Sequence, residues 1–312
     1  VQDFRTQDPA APDPSTRGIP AQPPADAGLD LDDVRLVLDA ALAEDLRYGP
    51  DATTAAIVPQ TATVTATLGS RRAGVLAGVP VVEALLSARL TGAQVRAHRS
   101  DGDRVVPGDV VLTIRARAGE LFTVERTALN LITHLSGIAT ATRAWVDAVA
   151  GTGCRIRDTR KTLPGLRTLQ KYAVRCGGGI NHRMGLGDAI LIKDNHVAVA
   201  GSITAAVESA RARGGRLPIE VEVDTFDQLQ EAIAVGTDLV LLDNWTVEEC
   251  AGGVELARGT GTRLESSGGL SLDVAAAYAA TGVDFLAVGS LTHSAAALDL
   301  GLDVATDLGD RR

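Results

Sequence analysis

Apolar residues fall into a regular pattern only from Leu29 onward. Val34, Val37, Leu38, Ala41 and Leu42 recur at helical spacing behind Asp30, a residue type that caps helix N-termini. After Pro59 the period changes to two. Val64, Ala66 and Leu68 alternate with threonines, as on a half-buried strand. Val75–Gly78 reads as extended and Val81–Leu90 as helical. Gln94–His98 and Asp109–Arg115 read as strands, separated by Asp101-Gly102 and Pro107-Gly108 turns. Strands and helices mixed in this way predict an α+β module. A helical run then extends from Leu121 to about Ala150, with Gly137 expected to bend or divide it.

From residue 154 the pattern becomes repetitive. Short apolar strands are predicted at Arg155–Thr159, Ala189–Ile192, Ile219–Val223, Leu239–Leu242, Arg263–Glu265 and Phe285–Val288. Helix-length segments lie between most of them: Ser202–Arg213, Thr225–Val235, Thr246–Arg258 and Ser271–Thr281. Strand–helix units in series predict a parallel sheet with right-handed crossovers, here an incomplete (β/α) barrel. No GxGxxG follows the first strand, which counts against a dinucleotide site.

Composition adds a contrast. The chain of 312 residues carries a net charge of −9, which argues against a general nucleic-acid binder. No apolar run approaches the ~20 residues of a membrane span, and no secretory signal is evident. Residues 1–28 are Pro- and Ala-rich with few large apolar side chains, so a disordered tail is expected there. Cys154, Cys176 and Cys250 form no disulfide framework or CxxC metal pair and suit a reducing cytoplasm. Lys161, Lys171 and Lys193 are the three lysines among 30 basic residues, and all lie within 33 residues. A chain that otherwise uses Arg keeps Lys here, where a compact ammonium and a planar fork are not equivalent.

Barrel active sites are built at the C-terminal ends of strands. Asp158-Thr159-Arg160-Lys161 ends the first predicted strand, and the second runs into Lys193-Asp194-Asn195-His196. Glu220, Glu222 and Asp224 share one face of the third, and Asp243-Asn244 ends the fourth. The fifth runs into Glu265-Ser266-Ser267-Gly268-Gly269 and the sixth into Gly289-Ser290, and the small residues there are suited to a phosphate. Arg160, Lys161, His182, Arg183 and Lys193 gather positive charge in an acidic protein, which fits a substrate with several anionic groups. Glu222 and Asp243 are suited to sugar hydroxyls, Mg²⁺ or a cationic transition state. Gly177-Gly178-Gly179 reads as backbone approaching a ligand or as a mobile loop, and the five histidines show no metal-ligand spacing.

These residues carry a family resemblance. ERTALNLITHLSGIAT (125–140), DTRKTLPGLRTLQKYAVRCGGGINHRMGLGDAILIKDNH (158–196), EVEV (220–223), LLDN (241–244), LESSGGL (264–270) and VGSLTHS (288–294) closely resemble the quinolinate phosphoribosyltransferase family. The resemblance implies phosphoribosyl transfer from phosphoribosyl pyrophosphate to quinolinate, with Mg²⁺, giving nicotinate mononucleotide, pyrophosphate and CO2 in NAD biosynthesis. It implies an N-terminal α+β open sandwich domain over 29–135 and a barrel-like catalytic domain over 136–295. A C-terminal segment, 296–312, can return to the N-terminal domain. It also implies a cytoplasmic homodimer or higher homo-oligomer in which Arg126 enters the neighbour's site. By motif match, Thr159, Arg160, Lys161, His182, Arg183 and Lys193 bind substrate. Glu222 and Asp243 fall at the ribose and metal region. Ser266, Ser267, Gly268, Gly289, Ser290 and Leu291 form the phosphate cradle. Lys161, Lys193, Glu222 and Asp243 are the expected catalytic set. Three alternatives stand beside this: a Schiff-base aldolase using Lys193 or Lys161, a phosphoribosyltransferase for another base such as nicotinate, and a non-catalytic ligand-binding barrel.

Overall fold

The computed structural model describes residues 29–305, so the tail expected over 1–28 and the end of the C-terminal segment, 306–312, lie outside the described residues. The chain opens with α1 (Leu31–Asp45) and α2 (Ala52–Ile57), followed by β1 (Thr63–Ser70) and the short β2 (Gly74–Val75). Then come α3 (Val79–Arg89), β3 (Gln94–Ala97), β4 (Arg104–Val105) and β5 (Val110–Arg117). Asp30 caps α1 by accepting the backbone N–H groups of Asp32 and Asp33. In β1 the apolar residues Val64, Ala66 and Leu68 turn inward at every second position. Asp101, read from sequence as part of a turn, accepts the Gly78 and Val79 N–H groups at the start of α3, at 2.8 and 2.9 Å.

α4 (Ala118–Ala148) runs unbroken through Gly137, contrary to the expected bend or division. The glycine serves close approach instead: a Cβ there would lie 2.2 Å from the Ala296 carbonyl oxygen. After α4 the chain alternates strands and helices: β6 (Arg155–Arg157), α5 (Arg167–Cys176), β7 (Ile190–Ile192), α6 (Asp194–Ala200), α7 (Ile203–Arg213) and β8 (Ile219–Val223). It continues with α8 (Phe226–Ala234), β9 (Leu239–Asp243), α9 (Val247–Ala257), β10 (Arg263–Ser267), a 3-10 turn (Leu272–Val274) and α10 (Ala275–Ala280). β11 (Phe285–Ala287), α11 (Ser290–His293) and β12 (Leu300–Ala305) complete the described chain. The helices α5 and α6 were not anticipated from sequence.

Two main sheets result. The N-terminal one is antiparallel with order β12-β1-β5-β3, so the last described strand closes back onto the first domain through pairs such as Leu68 with Leu302. The second is parallel with order β6-β11-β10-β9-β8-β7. β6 and β7 are its two edges, so the barrel is open, and Ile180 extends the β6 edge by a parallel bridge to Arg157. One continuous cluster of buried side chains runs from Val34 through Ile138 and Leu242 to Leu300, with α4 between the two sheets. Among the described residues no helix is long and apolar enough to cross a membrane.

Candidate active site

Six parallel strands side by side bring six C-terminal ends to one rim. A cavity of about 330 Å³ lies there. After β6 come Thr159, Arg160 and Lys161; the segment after α5 adds His182 and Arg183, and Lys193 follows β7. Glu222 on β8, Asp243 on β9 and Ser267 on β10 line the same cavity, with Leu191, Leu241 and Ala287 giving it apolar surface. Of the sequence-predicted substrate residues, nine therefore meet in one cavity: Thr159, Arg160, Lys161, His182, Arg183, Lys193, Glu222, Asp243 and Ser267. Lys193 is ion-paired with Glu222. Asp243 accepts only a hydrogen bond from Asn244 Nδ2, at 2.8 Å, and among the described residues has no cationic partner. Burial and the neighbouring Arg160 guanidinium lower the Arg183 pKa from its usual value, as expected where cations are crowded.

The remaining predicted residues have other places. Ser266 is fully buried on the opposite face of β10, where its Oγ lies 3.7 Å from Cys250 Sγ of α9, because successive strand residues point to opposite sides. Gly268 follows with φ +97°, and a side chain there would collide with Asn244. Gly289 lies against Lys161 and Thr159, Ser290 is exposed, and the Leu291 side chain is buried in the core. Arg126 lies on α4, exposed and outside the cavity, with no side-chain hydrogen bond or ion pair among the described residues. Gly177 and Gly179 pack directly against Ala139 and Thr142 of α4, not against an open cavity.

Beneath the rim lies a charged floor whose pairing was not read from the sequence. Lys171 of α5 and Asp158 after β6 form an ion pair with no exposed surface on either side chain. Asp158 also accepts the His182 backbone N–H at 2.8 Å and Asn181 Nδ2 at 2.6 Å, while Lys171 donates to the His182 carbonyl at 3.0 Å. This pair therefore fixes the segment that presents His182 and Arg183. Burial raises the Asp158 pKa and lowers that of Lys171, each opposed by the partner's charge. The third lysine of the sequence cluster is thus a buried support for the site.

A second network adjoins it. The Arg157 guanidinium is ion-paired with Glu265 and lies 3.6 Å from Glu220. His182 Nε2 lies 3.1 Å from Glu220 Oε2 and 3.9 Å from Glu265 Oε1. Burial opposes the Glu220 charge, but the contacts of His182 and Arg157 prevail and hold it well below the usual carboxylate range. Burial raises the Glu265 carboxyl to about 6 despite the attraction of Arg157. His182, Glu220 and Glu265 bring potential metal-ligand atoms within 4.8 Å of one another, an arrangement that histidine spacing does not reveal. Arg157 already supplies the cation between the two carboxylates.

Comparison with known proteins agrees with this geometry. The quinolinate phosphoribosyl transferase C-terminal domain matches residues 138–303 and the N-terminal domain residues 51–136. A Mycobacterium leprae protein named nicotinate-nucleotide pyrophosphorylase [carboxylating] is 53% identical over 279 residues, covering 88% of this chain and 98% of that protein. A Bacillus subtilis protein named as a probable enzyme of the same kind is 44% identical, covering 74% of this chain and 80% of its own length. Among solved structures, NadC from Streptococcus pyogenes superposes with a TM-score of 0.84 at 38% identity, covering 90% of this chain and all of that one. The two domain matches together span the described chain from α2 to β12, and on them the chain belongs to the quinolinate phosphoribosyl transferase family.

Proposed function

We propose that the protein transfers the phosphoribosyl group of phosphoribosyl pyrophosphate to quinolinate with decarboxylation, giving nicotinate mononucleotide, pyrophosphate and CO2 in NAD biosynthesis. The observation that carries this reading is the cavity itself. Arg160, Lys161, Arg183 and Lys193 converge at the strand ends of a chain whose net charge is −9, with Glu222 and Asp243 beside them. Quinolinate is a dicarboxylate and its co-substrate carries a phosphate and a pyrophosphate, so several cations are needed at one place. Arg160, His182 and Arg183 bind the two carboxylates. Thr159, Lys161, Ser267 and the Gly289 turn receive the sugar phosphates. The Lys193 ammonium is already paired with Glu222, an arrangement suited to charge and not to a free amine nucleophile, which disfavours the aldolase alternative.

As pyrophosphate leaves C1 of the ribose, positive charge develops on the sugar ring. Glu222 stabilises that charge electrostatically. The pyridine nitrogen attacks C1, and the ring becomes cationic. That ring then accepts the electron pair released when the adjacent carboxylate departs as CO2. Asp243 suits a hard cation, since its oxygens have no cationic partner among the described residues and Mg²⁺ takes few protein carboxylates alongside substrate oxygens. Asp243 would hold Mg²⁺, which when bound neutralises charge on the pyrophosphate. The working unit is a homodimer or higher homo-oligomer in which Arg126 reaches the neighbour's cavity. The cytoplasm suits its three free thiols. The experiment is product analysis with quinolinate and phosphoribosyl pyrophosphate, and the decisive product is CO2 formed along with nicotinate mononucleotide.

A further inference from the structure

The cations assigned to the quinolinate carboxylates stand on two separate segments of the rim. Arg160 follows β6, whereas His182 and Arg183 follow α5. Residues 159–163 and 181–185 belong to no helix or strand, so no regular backbone ladder fixes where these side chains stand. Arg160 and Arg183 also repel each other across the cavity, and their like charges push the two segments apart.

Helix α5 opposes that separation. Arg167, Gln170 and Lys171 occupy positions i, i+3 and i+4, which share one helix face. Lys171 holds the His182 segment through Asp158 and the His182 carbonyl. Gln170 Oε1 accepts the Leu163 N–H at 3.0 Å and so holds the Arg160 segment. Arg167 reaches both. Its Nε donates to Thr162 Oγ1 at 3.0 Å, and a terminal nitrogen donates to the Met184 carbonyl at 3.2 Å. Thr162 is two residues beyond Arg160, and Met184 is next to Arg183. Asp188 stiffens the second attachment by accepting the Met184 and Gly185 N–H groups at 2.6 and 2.8 Å. Arg167 does not itself line the cavity.

We propose that Arg167 is a positioning residue for quinolinate: it straps the Arg160-Lys161 segment to the His182-Arg183 segment and sets the gap between their cations. Quinolinate carries its carboxylates on neighbouring ring carbons, so the cations that meet them have one correct spacing. A guanidinium donates in two fixed directions and can span the two segments, which a single ammonium does not reproduce. The inference rests on the reaction proposed above, and specifically on quinolinate as the ligand of this cavity.

The experiment is calorimetric titration of quinolinate into folded variants, with a thermal melt of each. Arg167→Ala is expected to bind about tenfold more weakly, the order of one hydrogen bond to a charged group. Thr162→Val keeps the branched shape and removes one acceptor, and about a threefold loss is expected. Because Thr162 acts through Arg167, the double variant should lose no more than Arg167→Ala alone. Arg167→Lys keeps the charge and should remain weakened. Wild-type affinity in Arg167→Ala or Arg167→Lys, or losses that multiply in the double variant, overturns the proposal. A lowered melting temperature with unchanged affinity also overturns it, since the residue then only holds the fold. Should Arg167→Ala fail to fold, Thr162→Val decides, and wild-type affinity there is the overturning result. The wild type is titrated in parallel. No quinolinate binding by the wild type overturns the functional reading and the strap's purpose with it, whereas wild-type binding with unaltered variants overturns the strap alone.

Discussion

Arg157 and Glu265 expose none of their side-chain surface, so a proton gained or lost at Glu265 registers in the stability of the whole protein. The folded carboxyl is raised from its ordinary 4.5 to about 6, chiefly by burial. A raised carboxyl favours the protonated folded state. Its stabilising contribution is full below pH 4.5 and is lost as pH rises through about 6, amounting to about 2 kcal/mol in all. Glu265→Gln cannot ionise and keeps that contribution. Denaturant unfolding at about pH 5 and about pH 8 should therefore show the variant gaining about 1 kcal/mol on the wild type between the two conditions. A gap that does not change with pH contradicts the assignment. The rim was legible at this scale because Arg160, Lys161, Lys193, Glu222 and Asp243 sit where strands end, and such positions read as site. Arg157 was not, because a charge inside a strand has the same spacing whether its face meets solvent or a barrel interior; Glu220 and Glu265 were read among the strand-end groups, but nothing in the spacing shows that they pair with Arg157 in the interior. Lys171 was noticed as a rare lysine, yet nothing in its neighbours' spacing places it opposite Asp158.

At the scale of elements, the apolar period located the strands well. β8 is Ile219–Val223 in both the sequence reading and the structure, and β1 follows the Val64, Ala66, Leu68 alternation. The helices missed have physical reasons. α5 buries Gln170 and Lys171 beside Leu169 and Ala173, so polar residues interrupt the stripe that marks a helix. α6 has seven residues and buries none of them, leaving no stripe at all. Gly137 was read as a breaker because the sequence shows the missing side chain and not what occupies its space. Ala296 and Ala297 approach α4 there by their backbone. Gly137→Ala would improve helix propensity in isolation, but the new Cβ meets backbone that cannot rotate away. A loss of about 1–3 kcal/mol is expected on thermal or denaturant unfolding. A variant as stable as the wild type would show that the 296–297 segment moves aside freely.

For the whole molecule, the proposed oligomer is tested at Arg126. That residue is exposed on α4, outside the cavity formed by its own strand ends, and has no partner among the described residues. Arg126→Ala and Lys193→Ala are each expected to be nearly inactive. Reassociated mixtures should recover about a quarter of wild-type activity, since about half the dimers are mixed and each has one intact site of two. No recovery despite demonstrated heterodimers would remove Arg126 from the neighbour's site. The central claim concerns the reaction. It is tested most directly with quinolinate labelled in the carboxylate next to the ring nitrogen, supplied with phosphoribosyl pyrophosphate and Mg²⁺. The account predicts that the label leaves as CO2 in step with equal amounts of nicotinate mononucleotide and pyrophosphate, and that nicotinate is a far poorer substrate. Pyrophosphate release without labelled CO2, or equal use of nicotinate, would contradict it.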